Sequence, residues 1–197
     1  MKFCKKNGET GTILTNLAKV YYEMGENDRG FSTLERGLNQ DPNQENGFTW
    51  YLSIIKEKFG ESTVNDRIEE FAKLENAWRP QLMYGAYHIR SGNKQEGLEI
   101  FTRIIDKGII NEESLQIITG VLGEASMFEE ALELTESIYR INNHGVPAGY
   151  NLLRIYESTQ RYQSAIHLID EMLQSGRVDI YQPLREYREK LERLLKK

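Results

Sequence analysis

Three histidines, His88, His144 and His167, are the chain's candidates for proton transfer or metal binding. A zinc hydrolase needs two imidazoles one helical turn apart, as in H-E-x-x-H, and these three are far apart in sequence with no such pair. The acidic doublets Glu69-Glu70, Glu112-Glu113 and Glu129-Glu130 could supply a general acid and a general base. On a helix, however, adjacent side chains point roughly 100° apart, so doublets read as solvated faces rather than as a converging pair. Gly120 and Gly123 have no preceding strand and no following Gly-Lys-Ser/Thr, so a phosphate loop does not fit. Trp50 is either a buried aromatic or an exposed binding anchor, since tryptophan is favoured at interaction hot spots. No catalytic constellation can be assembled, so an enzyme is not expected. No cofactor or metal is expected either.

The composition narrows the remaining classes. The chain has 197 residues, 39% hydrophobic and 28% charged, with 25 basic and 30 acidic side chains and a net charge of −5. That balance is ordinary for a soluble globular protein and argues against nonspecific nucleic-acid binding, which needs a basic surface. Cys4 is the single cysteine, so no intrachain disulfide can form, and a reducing, cytoplasmic location is expected. No apolar run approaches the ~18–20 residues of a membrane span, so no membrane role is expected. The start MKFCKKNGET lacks the apolar stretch of a secretory signal.

The elements that must position any site are helices. Around residues 11–44 the apolar or small residues Leu14, Leu17, Ala18 and Tyr21 share one helix face. Gly25-Glu26-Asn27-Asp28 makes a turn, and Gly30, Leu34, Gly37 and Leu38 mark a second helix before Pro42. The pattern recurs. Phe48, Tyr51, Leu52 and Ile55 precede Gly60; the helix after it carries Val64 where a small residue would let the pair approach, so a distortion is expected there. Trp78-Arg79-Pro80 opens a third pair, proline costing no hydrogen bond in a first turn. Asn93-x-x-Glu96 and Ser126-Met127-Phe128-Glu129 read as capping boxes. Pro183 to Lys197 reads as a final helix with Leu184, Tyr187, Leu191, Leu194 and Leu195 along one stripe. Its i,i+4 pairs are Glu186–Lys190, Glu189–Arg193 and Glu192–Lys196.

The hairpins start near residues 11, 45, 78, 112 and 146, spacings of 34, 33, 34 and 34, and all four prolines fall between them. With Leu14, Ala18, Tyr21, Gly30, Leu34 and Pro42 in the places of W-x2-L-G-x2-Y…A-x3-F…P, the chain resembles the tetratricopeptide (TPR) repeat family. DPNQENGFTWY (Asp41–Tyr51) and WRPQL (Trp78–Leu82) are further similar to uncharacterised bacterial TPR proteins. The resemblance implies an all-α, right-handed α-α superhelix, a single solenoid domain. Its repeats fall at about 11–44, 45–77, 78–111, 112–145 and 146–179, and 183–197 caps the last. Residues 1–10 offer nothing to cap the first repeat, so the sequence is expected to be the C-terminal part of a longer chain. His88 takes the place of a core tyrosine and is expected to be a hydrogen-bonded core histidine.

In TPR proteins the first helices line a concave groove that binds peptides or protein segments. Carried over position by position, the groove would hold Lys19, Tyr22, Trp50, Lys56, Arg79, Leu82, Ile89, Arg90, Tyr150 and Arg154, with Gly120, Gly123 and Asn151 also at groove positions. The carboxylate clamp of chaperone-binding members is not expected, because its positions hold Thr15, Lys19, Trp50, Arg79 and Met83, where only Arg79 has the right charge. A pentatricopeptide RNA binder would want a 35-residue period and a basic surface. The expectation is an interaction scaffold, monomeric or weakly self-associating. Its partner is a protein segment with acidic and large apolar residues, bound mainly over the first three repeats. The alternative is a ligand- or peptide-responsive regulatory domain of a larger protein.

Overall fold

The computed structural model describes residues 10–196, which form eleven α-helices and one 3₁₀ turn; no strand occurs among the described residues. Cys4 lies outside them. The helices are α1 (Gly11–Glu23), α2 (Asn27–Gln40), α3 (Glu45–Phe59), α4 (Glu61–Ala72), α5 (Trp78–Arg90), α6 (Lys94–Asp106), α7 (Glu112–Glu124), α8 (Phe128–Thr135), α9 (Ile141–Ser158), α10 (Tyr162–Leu173) and α11 (Tyr181–Leu195). The all-α class expected from the 3.6-residue periodicity is thus observed. The odd-numbered helices α1, α3, α5 and α7 begin 34, 33 and 34 residues apart.

Helices pack on their chain neighbours. The chain divides into two compact units, Met1–Tyr87 and His88–Lys197. In the first, α1 packs on α2, α2 on α3 and α3 on α4. Close approach of α1 and α2 depends on missing side chains: a Cβ on Gly37 would stand 2.9 Å from the Gly11 carbonyl oxygen. The core of this unit runs through Leu34, Leu38, Phe48, Tyr51, Ile55 and Phe71. The Phe71 ring meets Phe48 and Tyr51 edge to face, both with centroids 5.3 Å apart, the arrangement the ring quadrupoles favour. The Tyr51 hydroxyl finds its partner in Glu35 at 3.0 Å, and burial, then the Glu35 charge, push its pKa well above the usual tyrosine value.

In the second unit α7 packs on α8 and α9, α6 on α8, α9 on α8 and α10, and α10 on α11. Leu115, Ile118, Leu122, Leu152 and Ile169 are fully or almost fully buried between them. Leu184 and Leu191 carry α11 into this core, whereas Leu195 stays half exposed, so the apolar stripe of the last helix is narrower than its sequence pattern. Of the three ion pairs expected along α11 only Glu189–Arg193 forms (3.5 Å). Lys190 and Tyr187 turn instead to Glu157 on α9, and Arg188 bonds Asp170 on α10 at 2.9 Å.

Helix ends depart from the sequence reading in several places. Gly60 (φ 89°) and Gly92 (φ 90°) end α3 and α5 as expected. Neither expected capping box forms. Asn93 lends no side-chain cap to α6, its amide facing His88 Nδ1 at 3.5 Å, and Ser126 sits at φ 57° one residue before the N-cap of α8. A capping box does form at α7, where Asn111 and Ser114 exchange hydrogen bonds of 2.9 and 3.0 Å. Around Val64, α4 runs unbroken. The irregularity lies in the fourth hairpin: α8 stops after 8 residues, and α9 is broken at Gly145 (φ 70°, ψ 172°).

Candidate functional site

Of the residues assigned to a groove, Tyr22 and Trp50 are the two whose side chains the structure shows touching. Tyr22 lies near the end of α1, Trp50 in the second turn of α3, and their rings meet edge-on with centroids 5.1 Å apart. Both are half-buried. They pack on the core with one side and keep the other toward solvent, which answers the two readings of Trp50: it is neither fully buried nor fully exposed. The Tyr22 hydroxyl oxygen is shielded from solvent and has no hydrogen-bond partner among the described residues. Burial first, then the charges of Asp28 and Glu57, raise its pKa above 10, so the phenol keeps its proton as a donor. Lys19, one turn earlier on α1, is exposed and makes no ion pair among the described residues. Lys56 is exposed but engaged with Glu61 at 2.5 Å.

Three assigned residues are interior. Leu82 is fully buried and Ile89 nearly so; they are core side chains of α5 and offer nothing to a ligand. Arg79, 8% exposed, is a structural cation. Its guanidinium donates to the Asn43 main-chain oxygen, lies 4.9 Å above the Trp78 ring and stands 3.7 Å from Glu45, while its backbone N–H donates to Asn43 Oδ1 at 2.9 Å. Asn43 Nδ2 in turn donates to the Asn76 carbonyl at 2.7 Å. This seam ties the α2–α3 turn to the start of α5, and spacing alone gave no sign of it.

In the C-terminal unit Arg90 is exposed and paired with Glu124 at 3.1 Å. Tyr150 is half-buried, its pKa raised by burial and then by Asp179. Arg154 is exposed, without an ion pair among the described residues, and lines a recess of about 200 Å³ between α7 and α9 with Gly120, Gly123 and Asn151. Asn151 Nδ2 is committed to the Gln116 carbonyl and Thr119 Oγ1, both at 3.1 Å. His88, as expected, is buried, with Glu96 3.3 Å from its Nδ1.

A larger recess of about 580 Å³ lies between residues 136–140, α9 and α10, bounded by Glu136, Tyr139, Arg140, Tyr156, His167 and Glu171, none of them among the expected groove residues. The available signal was the breaker cluster Asn142-Asn143-His144-Gly145, whose glycine (φ 70°, ψ 172°) interrupts α9. Among the described residues no group of three His, Cys, Asp or Glu side chains is placed to hold a metal ion, and no helix is long and apolar enough to cross a membrane. Compared with models of known families and with characterised proteins, the chain matches no family model and none of those proteins.

Proposed function

We propose that this chain is an interaction module built from helical hairpins of the tetratricopeptide kind, and that it holds a segment of another protein on the surface formed by α1 and α3. The repeat reading is supported by the 34-, 33- and 34-residue intervals between helix starts and by the small residues Ala18 and Gly30, both buried, in the first hairpin. The binding reading is carried by one observation: the edge-on Tyr22–Trp50 pair, half open to solvent. An amphipathic aromatic pair of this type suits a hot spot.

The partner segment places a large apolar side chain against the two rings, and Lys19 favours an acidic residue beside it. The test uses the full chain. A segment recovered by affinity capture is synthesised and its affinity measured. Trp50→Ala should weaken binding at least tenfold, about 1.4 kcal/mol, and Tyr22→Ala, which removes the second ring, by a comparable factor, with helicity unchanged. Normal binding by Trp50→Ala, with loss on substituting the outer helices α2 and α4, overturns the assignment.

A further inference from the structure

The recess between residues 136–140, α9 and α10 lies where regular helix gives way and an aromatic ring is buried. α8 ends at Thr135, the backbone turns through residues 136–138, and Tyr139 swings under α9, where its hydroxyl donates to the Gly145 carbonyl at 2.8 Å. Gly149 makes the room: a Cβ there would stand 2.4 Å from the Tyr139 hydroxyl oxygen. Past α8 the chain keeps one further hydrogen-bonded turn, the Tyr139 N–H donating to the Thr135 carbonyl at 2.9 Å, and a cleft of about 580 Å³ lies beside it, within the range of small-ligand sites. Its floor is apolar, formed by the buried Leu152 and Leu168 and by the rings of Tyr139 and Tyr156.

The rim is charged. Glu136 accepts the Tyr156 hydroxyl through one oxygen at 2.7 Å. Glu171 lies 3.6 Å from His167 Nε2 with half its side chain exposed. Arg140 also lines the cleft and keeps its charge while donating to the Tyr139 carbonyl, whereas Arg161 pairs with Glu129 at 2.5 Å, so two carboxylates face one guanidinium. The carboxylates impose a negative potential on the floor. The phenol pKa values of Tyr139 and Tyr156 are raised mainly by burial, and further by Glu171 at both and by the hydrogen bond and charge of Glu136 at Tyr156.

We propose that this cleft binds a small organic cation, an aliphatic ammonium or guanidinium group whose charge sits between Glu136 and Glu171 and whose carbon chain lies on Leu152 and Leu168. An apolar floor beneath carboxylates selects such a ligand. A bare metal ion gains nothing from the leucines, and an anion meets two like charges against the single guanidinium of Arg140. The group comes either from a free aliphatic amine or from a lysine side chain of another protein. The cleft shares no residue with the α1–α3 surface, so the two assignments stand or fall separately.

The experiment is a titration of the full chain, followed by amide chemical shifts and calorimetry, with three probes: 1,5-diaminopentane, N-acetyl-lysine amide and glutarate. The expected result is saturable binding of at least one amine, with shifts centred on residues 136–140 and 163–171, and no binding of glutarate. Tighter binding of the diamine identifies the free amine as the source, and tighter binding of the lysine amide identifies a protein side chain. Glu136→Gln keeps an acceptor for Tyr156 and should weaken amine binding about tenfold, as should Glu171→Gln, and Gln163→Trp at the rim should block it, all with wild-type helicity. Saturable glutarate binding, amine shifts spread over the acidic surface, unchanged affinity in both glutamine variants, or no amine shift at millimolar concentration would each overturn the proposal.

Discussion

Asn43 does more for this structure than its sequence context announces. Its side chain donates to the Asn76 carbonyl (2.7 Å) and accepts from the Arg79 backbone N–H (2.9 Å), and its own carbonyl receives the Arg79 guanidinium. Asn43→Ala therefore strands the Arg79 backbone N–H at the start of α5 and takes one of two bonds from the Asn76 carbonyl, which keeps the one from the Trp78 N–H. The expected loss is about 1–3 kcal/mol, because the penalty of a group left unpaired exceeds the net worth of an average bond. Lys19→Ala, at an exposed site, should fall within about 0.5 kcal/mol of wild type. Urea denaturation of the two variants measures the contrast, and equal midpoints would contradict it. The same seam explains why Arg79 misleads a reader of spacing. Its position in the period is a groove position, but a first-turn arginine beside Trp78 can fold its guanidinium back over the indole onto the preceding turn. Periodicity assigns a face to a residue; it does not say where a long, flexible side chain puts its charge. Leu82 and Ile89 mislead for the opposite reason. At α5 the buried arc is wider than the template's inner stripe, and aliphatic side chains at nominal groove positions are drawn into the core.

The elements were legible where local chemistry and period agree. Starts at 11, 45, 78 and 112 follow from apolar recurrence and flanking breakers, and Gly60 and Gly92 end helices by taking positive φ. The early end of α8 was hidden, because Phe128-Glu129-Glu130-Ala131 is a strong helix opening and nothing before Asn142 disfavours continuation. Burial of Tyr139, a tertiary gain, overrides the local preference. α11 shows the converse: of its expected intrahelical ion pairs one forms, Lys190 leaves the helix to reach Glu157, and Arg188 bridges Glu192 within the helix and Asp170 on α10. Docking of α11 therefore rests on two buried leucines and these cross-helix contacts. Leu191→Ala should cost about 2–5 kcal/mol. Deleting residues 181–197 should uncover Ile169 and its neighbours on α10, lower the melting temperature and promote association. Unchanged melting in a monomeric truncated chain would mean that α11 stabilises nothing. Acid should loosen the same contact. Hydrogen bonds from Lys190, then Tyr187, lower the Glu157 pKa below 4.5, so the stabilisation is complete above that value and is lost as the pH falls through the depressed one.

At the scale of the whole molecule two effects of pH coincide and can be separated. The net charge is −5 at neutrality and the isoelectric point is near 5.4, so lowering the pH from 7.5 removes the mutual repulsion between molecules. Over the same interval His144 begins to matter. Its Nδ1 accepts the Arg140 backbone N–H at 2.9 Å, a bond that only the neutral imidazole can make, and burial, then the Arg140 charge, hold its pKa below the usual 6.5. The unfolded chain therefore takes up this proton first. The stabilisation is complete above pH 6.5 and is lost as the pH falls from there through the depressed native value. Light scattering should show association strongest near pH 5.4 and reversed on return to pH 7.5, in wild type and in His144→Gln alike, because one neutral side chain barely changes the net charge. Denaturation midpoints should behave differently: the wild type should lose more stability between pH 7.5 and 5.5 than His144→Gln, which has no proton to bind at this site. Parallel losses in the two proteins would show that the Arg140–His144 bond contributes nothing to the pH response and that net charge alone accounts for it.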